Sequence, residues 1–146
     1  MKDKTNIAKL NGKSLQISTK ISVEICNAIR NKNLIQVKRI LQDAADLKRA
    51  IPIKRYNWNL GHKSGMAAGR YPVKASNVFL KLCKSLEANA ENKGLNVSNL
   101  VLIHAKADKA EAKWHYTKKG RTKMKNTHIE LIAEEISPQK KEVVKK

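Results

Sequence analysis

Four histidines, two cysteines and twelve carboxylates are the groups in this 146-residue chain that could carry acid–base, nucleophilic or metal chemistry. His62, His104, His115 and His128 never fall three or four residues apart, and none stands beside a cysteine pair. The ligand spacing of a zinc site is missing. Cys26 and Cys83 fall on or beside apolar stripes of helical period, where a thiol acts as a small hydrophobe. Two cysteines make no disulfide framework. Glu87 and Glu91 lie one helical turn apart, and two like charges at that spacing are expected to form a solvated face. Gly61-His62-Lys63-Ser64 has the ending of a phosphate loop but not its Gly-x-x-x-x-Gly-Lys spacing, and no apolar strand precedes it. The expectation is no enzyme, no cofactor and no metal.

The cations have a coherent arrangement. Thirty-one Lys and Arg face twelve Asp and Glu, a formal net charge of +19. A small domain needs only about 2–8 for solubility. The excess repels itself unless a polyanion neutralises it. The acids are excluded from three long stretches. One, between Asp3 and Glu24, holds Lys9 and Lys13. A second, between Asp46 and Glu87, holds Lys54, Arg55, Lys63, Arg70 and Lys74. A third, between Glu111 and Glu130, holds Lys113, Lys118, Lys119, Arg121, Lys123 and Lys125. Several one-sign segments suggest several contacts with nucleic acid.

Five of the six aromatic residues lie in or beside these segments: Tyr56, Trp58, Tyr71, Trp114 and Tyr116. Rings among cations offer stacking surfaces for unpaired bases beside phosphate contacts. For Tyr56 and Trp58 a mini-core closing over the loop is an equal alternative. With Asn57 and His62 the loop residues form a first candidate site, and residues 113–125, with His115 and Gly120, form a second. The longest apolar run, residues 100–103, is far short of the roughly 20 residues that span a bilayer. No apolar stretch follows the first residues, so no secretory signal is read. The chain reads as intracellular, without membrane binding.

Elements must position these groups. Leu15 and Ile17 alternate with polar neighbours and suit a strand. Ser18 is a plausible cap for a helix over 20–31, with Ile21, Ile25, Ala28 and Ile29 on one face. Asn33 is a plausible cap for a second helix bearing Leu34, Val37, Leu41, Ala44 and Ala45. The short link predicts that these two helices pack as neighbours. Pro52, Gly61, Gly65 and Gly69 predict an irregular segment over 51–69. A third helix starts at Tyr71 or Pro72, with proline in its first turn. Its stripe is Ala75, Val78, Phe79, Leu82, Leu86 and Ala90, and Gly94 ends it. Residues 100–105 and 127–134 read as strands around a polar basic segment, 106–126, a long β-hairpin. Arms of about ten residues rise roughly 33 Å. That exceeds the radius of gyration of such a domain, about 13–15 Å, so the hairpin should project. The fold class is α+β. The organisation is a basic extension and first strand over 1–17, one domain over 18–136 with a basic loop over 51–70, and a charged flexible tail over 137–146.

Gly69-Arg70-Tyr71-Pro72-Val73-Lys74-Ala75, then Glu87-Ala88-Asn89-Ala90-Glu91 and Lys93-Gly94-Leu95, resemble the universal large-subunit ribosomal protein family numbered twenty-two, whose eukaryotic members are numbered seventeen. Pro52-Ile53-Lys54-Arg55-Tyr56-Asn57 and Gly61-His62 resemble the insertion of its archaeal and eukaryotic members, and Thr127-His128-Ile129-Glu130-Leu131 matches near the end. The likeness covers roughly residues 8–135. It implies three helices packed on a small antiparallel sheet with a long projecting hairpin. It also implies a place in the cytoplasmic ribosome's large subunit, where the protein binds large-subunit rRNA, supports assembly and touches neighbouring ribosomal proteins. The hairpin, including Lys113, Trp114, His115, Tyr116, Lys118, Lys119, Gly120 and Arg121, would run beside the exit tunnel and meet the nascent polypeptide. The family's Pro-Arg-Ala before Gly-Arg is absent, because His115-Tyr116-Thr117-Lys118-Lys119 precedes Gly120-Arg121. A freestanding nucleic-acid chaperone or nucleoid protein is the alternative reading.

Overall fold

A computed structural model describes residues 6–55, 57–118 and 120–136. Residues 1–5, Tyr56, Lys119 and the tail 137–146 lie outside the described residues. The elements run β1 (Ile7–Leu15), α1 (Thr19–Ile29), β2 (Lys32–Asn33), α2 (Leu34–Ala45), β3 (Ile51–Pro52), β4 (His62–Lys63), β5 (Met66–Arg70), α3 (Val73–Glu91), β6 (Leu100–Lys109), β7 (Trp114–Thr117), β8 (Gly120–Lys123) and β9 (Thr127–Glu135).

Strand β9 organises the body. Its residues Thr127, Ile129, Leu131 and Ala133 are fully buried, and the alternate residues face outward. A period of two is what a sheet with one covered face requires. It pairs antiparallel with β1 on one side and β6 on the other, in the order β1-β9-β6-β2. The helices cover the inner face. Ile25 and Ile29 of α1, Leu34, Val37 and Leu41 of α2, and Phe79, Cys83 and Leu86 of α3 meet Leu100, Leu102, Ile129 and Leu131 in one core. Each large side chain buried there contributes about 1.5–3 kcal/mol. The fold is α+β, three helices on an antiparallel sheet, as the sequence predicts.

The caps explain the helix ends. Asn33 accepts a hydrogen bond from the Ile35 backbone N–H at 3.0 Å and starts α2. Ser18 caps α1 by backbone position only; its carbonyl accepts from the Ser22 hydroxyl at 2.9 Å. Pro72 is the N-cap of α3 rather than a first-turn residue. Gly94 has φ +70°, which L side chains adopt poorly, and lets Leu95 N–H reach the Ala90 carbonyl at 3.0 Å.

Two expectations are corrected. The link between α1 and α2 does not make them each other's main partners. Asn31, at φ +60°, donates its N–H to the Leu102 carbonyl at 2.7 Å, and Lys32–Asn33 pair with β6. The link is thereby spent on the sheet edge, so α1 lies on β6 while α2 packs against α3. The segment over 51–69 is not irregular throughout. It folds into a small antiparallel sheet, β3-β5-β4, turning at Gly65 with φ +72°. Strands of two residues carry no readable period.

Candidate nucleic-acid interface

The basic loop is held by one carboxylate. Glu24 on α1 is only 3% exposed, and its Oε1 accepts the Arg55 backbone N–H at 2.9 Å. Ile53 is buried and its N–H reaches the Ala68 carbonyl at 2.9 Å. Between these ties and β4, the loop presents Lys54, Arg55, Asn57 and His62 to solvent, with Arg70 at its far end. Trp58 is 98% exposed, so it does not close a mini-core. Tyr56 lies outside the described residues. Lys63 sits over the half-buried Tyr71 ring, 5.5 Å from its centroid, which fixes one cation by a π contact.

The hairpin continues β6 and β9 outward. Ala110 N–H bonds the Asn126 carbonyl at 3.2 Å, Asn126 Nδ2 bonds the Glu111 carbonyl at 3.0 Å, and Met124 N–H bonds the Lys113 carbonyl at 2.8 Å. Beyond these, β7 and β8 pair Trp114 with Lys123, His115 with Thr122, Tyr116 with Arg121 and Thr117 with Gly120. Gly120 takes φ +110°, and Thr117 Oγ1 donates to its carbonyl at 2.8 Å, closing the turn. Every described residue of β7 and β8 is exposed, including Tyr116 at 82%. Lys118 is exposed at the turn; Lys119 lies outside the described residues. Lys123 stands over Trp114, 4.7 Å from the ring centroid, so the ring and cation present one joint surface. Lys113, His115, Tyr116 and Arg121 are exposed along the ribbon.

At the hairpin root two grooves bring predicted residues together. The larger, about 530 Å³, lies between α1 and the ribbon and gathers Arg55, Lys123 and Lys125 with Lys20 and Lys109. The second, about 390 Å³, lies on the other side of Met124 and adds Lys74. The root is rigid where it leaves the body. Thr127 is fully buried and donates to the Ile17 carbonyl at 2.9 Å, while the Thr19 hydroxyl, 2.9 Å away, supplies a hydrogen bond in return.

Lys9 and Lys13 fall elsewhere. Lys9 is exposed on β1 opposite Ile132, and Lys13 lies in a shallow depression with Asp108, His128 and Glu130. The outward sheet face carries both signs there: Lys106 pairs with Asp108 at 2.9 Å, and the His104 imidazole lies 3.8 Å from the Glu130 carboxylate.

Glu24, Lys20 and Lys109 were not singled out from the sequence. Glu24 had a signal, a carboxylate falling within the apolar stripe of Ile21, Ile25 and Ala28. Lys20 lies in the acid-free stretch between Asp3 and Glu24, and Lys109 has no signal; both meet Lys125 only through the fold. Glu87 is also corrected: it pairs with Lys38 of α2 across the helix interface instead of joining a solvated acidic face. Burial pushes the Cys26 and Cys83 thiols up to about 12, so both stay protonated and unreactive near neutrality. Among the described residues no group of three His, Cys, Asp or Glu side chains could hold a metal ion, and no helix is long and apolar enough to cross a membrane.

Comparison with known proteins agrees with this architecture. The family described as ribosomal protein L22p/L17e matches residues 10–134. The chain is 44% identical over 140 residues to the large ribosomal subunit protein uL22 of Archaeoglobus fulgidus, covering 90% of each chain. It is 44% identical over 134 residues to the protein of that name from Methanosphaera stadtmanae, covering 86% of this chain and 87% of the other. Against that of Thermofilum pendens it is 41% identical over 135 residues, covering 88% and 89%. With a match over most of its length and relatives above 40% identity, the chain belongs to the ribosomal protein L22p/L17e family.

Proposed function

We propose that this protein is a structural constituent of the large subunit of the cytoplasmic ribosome, binding large-subunit rRNA and lining the nascent-peptide exit tunnel with its hairpin. The observation that carries the reading is the ribbon itself. It leaves a well-packed body, exposes every described residue of β7 and β8, and carries cations and rings with no core to join. An isolated two-stranded ribbon is marginal in water, so one this exposed is built to be ordered by what surrounds it. The relatives' name, large ribosomal subunit protein, supports reading those surroundings as the large subunit.

The mechanism is electrostatic and geometric. Loop residues Lys54, Arg55 and Arg70 and root residues Lys74, Lys123 and Lys125 neutralise phosphates and release counterions. Trp58, Trp114 and Tyr116 stack on or wedge between unpaired bases. The outward sheet face, which carries both signs, is left to neighbouring ribosomal proteins or solvent. No catalytic step is assigned, and the residues require no cofactor. The body over 18–136 acts as one unit.

The test is binding of the full chain to purified large-subunit rRNA as salt is varied. A saturable one-to-one complex is expected, with log K falling linearly against log salt. Similar affinity for unrelated RNA and DNA, without fixed stoichiometry, would instead favour a freestanding nucleic-acid chaperone.

A further inference from the structure

We propose that Asn89 and Lys93 close the outer edge of β1 against pairing with the same strand of a second copy of this chain. β1 is the outermost strand in the order β1-β9-β6-β2, and among the described residues no strand pairs with its outer side. It runs for nine residues, Ile7–Leu15, where strands average about 5–6. A long open edge presents a row of N–H and C=O groups that templates a further strand. In an antiparallel strand the N–H and C=O of one residue point the same way, and alternate residues point oppositely. The Ile7 and Lys9 carbonyls point away from β9, because side chains from outside the sheet reach them. Lys93 Nζ donates to the Ile7 carbonyl at 2.9 Å, and Asn89 Nδ2 donates to the Lys9 carbonyl at 3.2 Å.

One helix delivers both donors. Asn89 stands in the last turn of α3 and Lys93 just beyond its end. Gly12 lets the helix come close to the strand, since a Cβ there would stand 3.0 Å from Leu82 Cδ2. Leu82, Asn89 and Lys93 meet Gly12, Lys9 and Ile7 in that order. As the helix advances the strand recedes, so α3 runs alongside β1 and its polar side chains turn over the edge. The opposite edge has the same device. β2 has two residues, and Arg30 Nη2 donates to the Ala105 carbonyl of β6 at 2.8 Å. Side chains thus occupy backbone acceptors at both edges of the sheet. The net charge of +19 also keeps copies apart, but only while it is unscreened. The Debye length falls from about 10 Å at 0.1 M salt to about 3 Å at 1 M, and a polyanion cancels the same repulsion. Capped carbonyls do not depend on net charge. The inference therefore stands apart from the ribosomal reading, and salt alone tests it.

The experiment is sedimentation of the full chain in about 0.1 M and about 1 M sodium chloride. Wild type is expected to stay monomeric in both. Asn89→Ala with Lys93→Ala should self-associate at the higher salt, at least about tenfold more tightly than wild type. Lys81→Ala removes the same charge from an exposed position of α3 and should behave as wild type. Hydrogen exchange locates the contact: the Lys9 amide, on the outer side of β1, should gain protection as the double variant associates. Adding Lys9→Pro removes that N–H while sparing the ladder to β9, and should restore the monomer. A double variant that stays monomeric at high salt, association that survives Lys9→Pro, or equal association of Lys81→Ala would each overturn the proposal. If circular dichroism shows the double variant unfolded, Lys93→Ala alone, at an exposed position, carries the test. A smaller but measurable tightening is then expected, and behaviour identical to wild type overturns the proposal.

Discussion

Replacing Glu24 by Ala should free the basic loop from the body. The carboxylate is 3% exposed and accepts the Arg55 N–H at 2.9 Å. A hydrogen bond to a charged group is worth about 1.5–3 kcal/mol. Each buried methylene removed adds about 0.8 kcal/mol. Together these give a loss of about 2–4 kcal/mol, allowing for partial collapse of the site. With a urea m-value of about 2 kcal/mol/M, the unfolding midpoint should fall by about 1–2 M. Glu24→Gln keeps an acceptor of the same shape and should cost under about 1 kcal/mol. Hydrogen exchange at the Arg55 amide supplies the local readout, and it should speed up at least about tenfold in Glu24→Ala, since tenfold corresponds to about 1.4 kcal/mol. The same variant should bind large-subunit rRNA more weakly, because Lys54 and Arg55 lose their fixed position. The reasoning is refuted if Glu24→Ala stays within about 0.5 kcal/mol of wild type with unchanged Arg55 exchange.

Thr127→Val removes a fully buried hydroxyl bonded to Ile17 and Thr19; a loss of about 1–3 kcal/mol in urea melts is expected, from the orphaned partners. Phe79→Ala empties the centre of the core and should cost about 3–5 kcal/mol, read by thermal or urea unfolding. Both thiols are raised by burial from 9.0 to about 12. Their contribution to stability is therefore complete below pH 9 and is lost as pH rises from about 9 to about 12. A Cys26→Ala, Cys83→Ala double variant should show a shallower alkaline decline than wild type. Lys123→Gln with Lys125→Gln should reduce the salt slope of rRNA binding by about 1.4–1.8, from about 0.7–0.9 per phosphate contact; Lys13→Gln, in a depression that Asp108 and Glu130 also line, should change it less.

Much of this fold is readable before any coordinates, and the reasons are local. Asn33 caps α2 because its side chain suits an N-cap wherever the helix sits. The stripe through Ala75, Phe79, Leu86 and Ala90 spans about four turns of α3, long enough for the period to dominate. The alternation over β9 fixes which face of the sheet is covered. The miniature sheet β3-β5-β4 is hidden, since its two outer strands have two residues each and hold no period, and the central β5, Met66-Ala67-Ala68-Gly69-Arg70, has no polar–apolar alternation. The packing of α2 on α3 was also hidden, because it is set by where Asn31 to Asn33 meet β6 and not by the length of the link.

The candidate site divides the same way. Exposure of Trp114 and Tyr116 followed from their place on a ribbon longer than the body's radius. The grooves at the ribbon's root did not, because Lys20, Arg55, Lys109 and Lys125 come from four separate segments. Charge runs along a sequence report that a polyanion is expected; only the fold reports where the runs converge. It also removes Lys13 from the convergence, by placing it beside carboxylates more than ninety residues away.

The most direct test of the central claim is the stoichiometry of this protein in salt-washed large ribosomal subunits, by quantitative mass spectrometry. The account predicts one copy per subunit, retained at moderate ionic strength and released only by stringent stripping. Absence from purified large subunits, with the protein recovered on unrelated nucleic acid, would contradict it.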